Sequence, residues 1–412
     1  MTVVRRPAFS PASDLTLQAA LHWCHTPGHS RLFKSDDCYD AVWSPCDPCA
    51  VTGRRIPRDG VASSCFFRTS SVEPERKALV QITERCNLHC AHCFVSALRE
   101  GTDISLEQMS GTVLPRLAAA RVRKLTLTGG EPFAHPDLVE IVERARAQDM
   151  VVTVCTNGTL IDESDVQTLA ELGGVRVNVS LDGFAAGSHG KFRGDPSSFA
   201  LTVTTVQTLG QYGLLKGLLA TPTTLAEAAE YTELCAFARE CGAEYVLMNP
   251  LASMGRGVRG QKRLAASEER LREVQRQSAA LAGDDLDVVH IRFPNEAAPL
   301  AGCEAGTIVY VFATGDVTVC PYLVFAARTP QSRHDADEFI VGNVFEHDDI
   351  ARRLDAYRLH DRSAPHTDPT CSSCALADGC GRGCPAAVIA DGGRLGDRDR
   401  DQCPVPDEPA AA

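Results

Sequence analysis

Three cysteines, Cys86, Cys90 and Cys93, stand in a C-x3-C-x2-C array within ERCNLHCAHCF. Three thiolates gathered by so short a loop suit a cubane [4Fe–4S] cluster, which is held by cysteine thiolates and usually takes four. With no fourth cysteine nearby, one iron would be open to another ligand. Zinc is the competing chemistry, because a three-cysteine zinc site recruits a histidine, and His89 and His92 are within reach. A second group lies near the C-terminus. Cys303 is followed by eleven residues, Gly315, four residues and Cys320; then come Cys371-x2-Cys374-x5-Cys380-x3-Cys384 and finally Cys403. A zinc ribbon on Cys371, Cys374, Cys380 and Cys384 would have unusual spacing and would leave the other three unused.

These thiols sit in a chain of 412 residues with 18 cysteines, 44% hydrophobic residues and a formal net charge of −12. Two or three domains are expected at ~150 residues each. The core is then large enough not to depend on disulfides. An acidic balance argues against a nucleic-acid-coating protein. MTVVRRPAFSPASDL has no apolar h-region, and no run is long and apolar enough for a transmembrane helix. The expected setting is the cytoplasm, with the cysteines as thiols or metal ligands.

The elements that must position the thiols alternate between strand and helix. Apolar, β-branched runs at 78–83, 124–129, 151–156, 175–180, 214–220 and 245–250 read as strands. Helical patterns fall at 105–119, 136–148, 163–172, 197–212, 225–241 and 266–282. Six βα units predict a parallel sheet covered by helices, either doubly wound or an incomplete barrel. In both, chemistry collects at the C-terminal ends of the strands. Four successive strand ends carry ERCNLHCAHCF, TGGEP, TNG and SLDG, all on what should be one rim.

With TGGEP one βα unit beyond the cysteine array, the sequence resembles the radical S-adenosylmethionine (SAM) superfamily over about residues 78–300. The resemblance implies a partial (β/α)6 TIM barrel. It also implies SAM chelated to the open iron, and a 5′-deoxyadenosyl radical that abstracts hydrogen from a substrate. By position, His92 would contact the adenine, and Gly129, Gly130 and Glu131 the methionyl ammonium. Ser180 and Arg193 match polar positions that hold ribose and carboxylate in relatives, with Asn157 as a neighbour. The LLKGLLA strand stands where some relatives have a glycine–isoleucine adenine motif. The seven C-terminal cysteines resemble the SPASM extension, which houses two auxiliary [4Fe–4S] clusters. Carried over by motif, Cys371, Cys374, Cys380 and Cys403 would hold one. Cys303, Cys320 and Cys384 would hold the other, with an open iron or with Glu296 or Glu304 as fourth ligand. Sulfatase-maturating relatives place an aspartate base directly after the equivalent of Cys320; here Pro321 and Tyr322 follow, which argues against that activity.

The expected division is an N-terminal cysteine-containing extension over 1–77, a barrel over 78–300 and the SPASM domain over 301–412. In the extension, Cys38, Cys46, Cys49 and Cys65, with His22, His25 or His29, offer a zinc site. A winged-helix leader-binding module is not evident there, and Arg54, Arg55 and Arg58 read as a solvated turn. The expected function is an oxidoreductase-like modification of a ribosomally made peptide. The rivals are a small-molecule dehydrogenase or decarboxylase and a non-catalytic metal scaffold. The resemblance further implies a low-potential electron donor such as flavodoxin or ferredoxin. Tyr322, Asp316 and Arg256 lie near predicted site edges, each with an ordinary reading as surface or turn.

Overall fold

The computed structural model of the chain describes residues 62–64, 76–303, 305–306, 308–359 and 369–405. The account below concerns the compact unit formed by Ile56–Thr69 and Lys77–Ala412. Cys24, Cys38, Cys46, Cys49, Cys65, His22, His25, His29, Arg54, Arg55, Arg58 and Glu304 lie outside the described residues. The zinc and leader-module expectations fall with them.

Six of the strands are the six apolar runs: β1 (Lys77–Thr83), β2 (Lys124–Gly129), β3 (Val151–Thr156), β4 (Val175–Ser180), β5 (Leu215–Ala220) and β6 (Tyr245–Met248). They pair in parallel in chain order. A doubly wound sheet would reverse its strand order part-way. This one does not, which leaves the barrel-type winding. The sheet then grows at both ends. β7 (Asp287–His290) pairs in parallel with β6, while β8 (Ile308–Val311) pairs in parallel with β1 and continues antiparallel into β9 (Asp316–Thr318) and β10 (Ile340–Asn343).

Alternation along each strand sends one set of side chains to the helices. Leu125, Leu127, Val152, Val154, Val177 and Val179 are all fully buried in the core that also contains Leu138, Ile141 and Val142 of the helix Leu138–Arg146. Each such side chain stabilises the fold by about 1.5–3 kcal/mol. The helices begin where short polar caps allow. Ser105 and Asp162 each close a capping box at the start of the helices leading into Leu114–Ala119 and Glu163–Leu172. The helix expected over 105–119 is not regular: it opens into a π turn at Met109–Val113 beside Pro115. Proline has no N–H to give to the preceding turn, so the hydrogen-bond ladder must rearrange there.

The opposite strand face is polar. Register sets Cys155, Asn178, Gly217 and Tyr245 in one row across β3, β4, β5 and β6. The Tyr245 hydroxyl donates to Asn178 Oδ1 at 2.8 Å, and Asn178 Nδ2 lies 3.9 Å from the Cys155 sulfur. Gly217 is what permits this: a Cβ there would meet the Tyr245 ring at 2.7–2.8 Å. A helix at Gly257–Leu264, with Arg256 at its N-cap, follows β6.

Candidate active site

β1 ends at Thr83, and the chain then turns into the cysteine loop. Asp103 anchors this exit, accepting from Thr83 Oγ1 at 2.5 Å and from Arg85 Nε at 3.0 Å. Cys86 N–H donates to Leu98 O at 2.6 Å, and Ala91 N–H donates to Phe192 O at 3.0 Å. Arg256 grips the loop from the far side. Its Nε donates to Cys90 O and its Nη1 to Ala97 O, both at 2.8 Å, and its backbone N–H reaches Cys93 O at 3.0 Å. The preceding Gly255, at φ 53°, leaves no room for a Cβ, which would fall 2.4 Å from Cys93 O. Arg256 thus holds the loop's backbone in place.

Cys86 and Cys90 are buried and Cys93 is half-buried, near enough that the Cys90 and Cys93 thiolates raise Cys86 and the Cys93 thiolate raises Cys90. Burial above all pushes the Cys86 thiol up to about 12. Buried thiols of this kind are deprotonated by a metal centre rather than by water. Donors are already aimed at the sulfurs: Leu88 N–H at Cys86 Sγ (3.4 Å) and Arg193 Nη1 at Cys90 Sγ (3.6 Å). Among the described residues, no three His, Cys, Asp or Glu side chains converge on a single-ion site.

The second strand end packs on the first. Gly130 N–H donates to Thr83 O and Glu131 N–H to Arg85 O, each at 2.8 Å. A Cβ on Gly129, at φ 150°, would sit 2.3 Å from Thr83 O, and one on Gly130 would sit 2.1 Å from Arg85 O. These two glycines therefore allow close approach to the backbone that launches the cysteine loop. Glu131 is buried and accepts three hydrogen bonds, from Phe133 N–H (3.1 Å), Thr156 Oγ1 (2.7 Å) and Asn157 N–H (2.7 Å). A carboxylate offers about four lone-pair sites, so one is left for a ligand donor. Burial raises the carboxyl above its ordinary range despite these donors, and a cation beside it would reverse that shift. Asn157 links the third strand end to the same place, donating to Asn87 Oδ1 at 3.0 Å, with its Nδ2 4.0 Å from Cys86 Sγ.

His92 lies flat on Phe192, ring centroids 4.5 Å apart and planes 8° from parallel. Burial keeps the imidazole neutral, with its pKa lowered to about 4, and its Nδ1 is buried with no hydrogen-bond partner. An unpartnered ring nitrogen and a stacked platform suit a planar heterocycle. Ser180 stands half-buried at the end of β4, in register with Leu219. Arg193 is buried and held by Asp182, its Nε donating to Asp182 Oδ2 at 2.5 Å. Burial alone would raise the Asp182 carboxyl, but the Arg193 guanidinium outweighs it and holds it below the ordinary carboxylate range. Asp182 Oδ1 also accepts from Thr221 N–H at 2.8 Å, and its own N–H donates to His189 Nδ1 at 3.2 Å. Asp182, Phe192 and Arg256 as a loop anchor were missed in the sequence. The signals were present in SLDG, KFRG and MGRG.

The C-terminal cysteines are brought in by backbone crossings. Gly381 N–H donates to Leu300 O (2.7 Å) and Gly383 N–H to Ala301 O (3.0 Å). A Cβ at Gly381 would collide with Gly302 at 2.2 Å. Cys320 is buried, and after burial itself the Cys303 and Cys384 thiols are the next influences that raise it, so these three share one neighbourhood. Cys371 lies in the short helix Pro369–Ser372. N–H donors approach Cys374 (from Leu376), Cys380 (from Arg382) and Cys403 (from Arg398 Nη1), each at 3.4 Å. Asp399 ties these segments to the barrel. Arg292, at φ 58°, donates to it through Nη1 (2.5 Å) and Nη2 (3.1 Å), and Asp399 Oδ2 also accepts from Cys384 N–H at 3.0 Å. Cys403 N–H donates to Asp399 O at 2.9 Å.

One expectation is corrected. Glu296 is no cluster ligand in this arrangement, because it is exposed and paired with Arg272 Nε at 3.1 Å. Asp316 opens β9, accepting from Thr314 Oγ1 and Asn343 Nδ2 at 3.0 Å. Tyr322 does reach the cysteine loop, its ring edge-on to Phe94 at 5.1 Å.

Residues 80–225 match the Radical SAM superfamily. The chain is 29% identical over 325 residues to the mycofactocin maturase MftC of Mycobacterium ulcerans, covering 76% of this chain and 83% of that one. It is 29% identical over 315 residues to the subtilosin biosynthesis protein AlbA of Bacillus subtilis, covering 74% and 66%. The fold is similar to that of Streptococcus suis SuiB bound to S-adenosylmethionine. The TM-score is 0.62 at 19% identity, over 79% of this chain and 77% of that one. The winding of the sheet, the cysteine loop after β1 and the GGEP turn packed against it agree with the match, and residues 80–225 form a radical SAM domain.

Proposed function

We propose that this enzyme modifies a ribosomally made peptide by hydrogen abstraction. The observation that supports this best is the similarity, across three quarters of the chain, to MftC and AlbA, named as a maturase and a bacteriocin biosynthesis protein. When bound at Cys86, Cys90 and Cys93, a [4Fe–4S] cluster with S-adenosylmethionine supplies the 5′-deoxyadenosyl radical. The chain's residues do the holding. His92 on Phe192 receives the adenine, and the spare lone pair of Glu131, with the backbone at Gly129 and Gly130, receives the ammonium. Asn157, Ser180 and Arg193 contact the ribose and carboxylate, and Asp182 fixes Arg193. Cys303, Cys320 and Cys384 hold one auxiliary cluster, and Cys371, Cys374, Cys380 and Cys403 the other.

In this reading residues 301–412 serve as the auxiliary-cluster region, and a low-potential flavodoxin or ferredoxin supplies electrons in a reducing cytoplasm. Among the described residues, no helix is long and apolar enough to cross a membrane. The test is an anaerobic reaction of the reconstituted chain with S-adenosylmethionine and precursor peptides encoded beside its gene. A peptide mass change with stoichiometric 5′-deoxyadenosine supports the proposal. Production of 5′-deoxyadenosine without any peptide change, across all such peptides, sinks the peptide reading. Three cubanes predict ~12 iron atoms per chain.

A further inference from the structure

The helix Gly257–Leu264 carries a charge pattern at odds with the rest of the chain. The protein has 53 acidic against 41 basic residues, yet from Tyr245 to Ser267 there is no acid and there are four cations. One of them, Arg256, is spent on the cysteine loop. The other three, Arg259, Lys262 and Arg263, are exposed, and none is in an ion pair among the described residues. Their i, i+3 and i+4 spacing sets them on one helix face.

The other face is built for close approach. Gly257 and Gly260 are both buried. A Cβ at Gly257 would lie 2.3 Å from Ala252 O, and one at Gly260 would lie 3.8 Å from Ala91 O, in the cysteine loop. A glycine inside a helix is unfavourable by about 1 kcal/mol relative to alanine. The approach to Ala252 O explains Gly257, while Gly260 lets the helix lie in ordinary van der Waals contact with Ala91 of the loop. Lys262 and Arg263 in the last turn suit the helix dipole, so they have an ordinary structural reason to be there. Arg259 has none: it stands in the first turn, where a cation is opposed by about 0.3–1 kcal/mol. A local rule broken without structural gain points to function.

We propose that this cationic face docks an acidic protein carrier of single electrons, which reduces the centre held at Cys86, Cys90 and Cys93. The inference rests on the assignment of those three cysteines to the catalytic cluster. One electron leaves the reduced carrier and enters the cluster; no other bond changes. The helix packs against the loop that carries the thiols, with Gly260 beside Ala91 O and Arg256 bonded to Cys90 O and Ala97 O. Exposed Lys191 adds a further cation next to Phe192, whose carbonyl accepts from Ala91 of the cysteine loop. The net charge of −12 would otherwise repel an acidic partner. A local cationic patch overcomes this by steering, which raises association rates by roughly 10–10³-fold and is screened by salt.

The experiment uses the full reconstituted chain, an acidic flavodoxin as probe, and two variants: R259E/K262E/R263E and the neutral R259Q/K262Q/R263Q. Binding of oxidised flavodoxin is measured without turnover, and 5′-deoxyadenosine formation is measured with reduced flavodoxin and, separately, with excess dithionite. The reversal variant should bind flavodoxin at least ~10-fold more weakly at low salt, with the neutral variant between. The wild-type advantage should vanish at high salt, and dithionite-driven rates should stay within about two-fold of wild type. Unchanged flavodoxin binding overturns the proposal. So does an equal loss with both reductants, or a raised KM for peptide under dithionite, since either assigns the face to the site or to the substrate. No 5′-deoxyadenosine from the wild type with dithionite would mean that the cluster assignment itself fails, and the docking proposal with it.

Discussion

Removing the Asp399 carboxylate should open the C-terminal cysteine segments while leaving the barrel closed. Asp399 and Arg292 form a two-pronged ion pair whose side chains are only 1% and 9% exposed. Truncating one partner of a buried pair typically destabilises by about 3–5 kcal/mol, and Asp401, 3.7 Å from Arg292 Nη2, places this case at the lower end. Asp399→Ala also strands the Cys384 N–H, which adds about 1–3 kcal/mol where the two losses are independent. They share one carboxylate, so they do not sum. A net local loss of about 4 kcal/mol is expected, or roughly three decades in opening equilibrium. Hydrogen exchange resolves such local opening where a global melt of a chain this size would not be two-state. The amides of Cys384 and Cys403 should lose protection by ~10²–10³-fold, with β2 to β5 unchanged. Asp399→Asn, which keeps the acceptor for Cys384, should lose less. A paired Arg292→Met/Asp399→Leu exchange should recover much of the loss. Unchanged exchange at Cys384, or equal deprotection across the barrel strands, would refute the reasoning.

Other perturbations follow from distances. Gly130→Ala forces a Cβ to 2.1 Å from Arg85 O and should separate β1 from β2. A loss of about 3 kcal/mol and a lower melting temperature are expected, with S-adenosylmethionine binding abolished in titration calorimetry. Gly217→Ala would drive the Tyr245 ring off Asn178. It should destabilise by about 1–3 kcal/mol, and ultraviolet difference spectra should show a changed tyrosine environment. Burial lowers both His189 and His290 to about 4. Because the folded value lies below the unfolded one, their contribution is complete above about pH 6.5 and is lost as pH falls from there toward 4. Each adds a slope of up to about 1.4 kcal/mol per pH unit. His189→Asn should flatten the acid limb of stability measured by denaturant titration between those values.

Much of the scaffold was legible because its signals are local. Each of β1 to β6 is a short apolar run closed by a turn, and the runs at 124–129, 151–156 and 175–180 agree with the observed strands to the residue. The cysteine array, GGEP and TNG were legible as a rim for the same reason. What escaped depends on contacts between distant segments. Asp182 looked like a turn residue because its partner Arg193 becomes meaningful only once both are buried beside Cys90. Arg256 looked like surface because its acceptors, Cys90 O and Ala97 O, are backbone atoms about 160 residues away, beyond the reach of local side-chain patterning. β8 to β10 carry too few residues for a periodic signal, and Glu296 was favoured by sequence proximity to Cys303 alone.

The pairing of β8 with β1 bears on how the protein is made. Lys77 lies beside Ile308 in the sheet, so the strand that launches the cysteine loop emerges from the ribosome long before its neighbour. At about 5–20 residues per second, the roughly 230 intervening residues take some 10–50 s to synthesise. Throughout that interval one edge of β1 is bare, and bare strand edges recruit other chains. A chain stopped before β8 would keep that edge for good. Recombinant truncation to the barrel alone should therefore yield aggregates, and cluster insertion at Cys86, Cys90 and Cys93 becomes a late, whole-chain event.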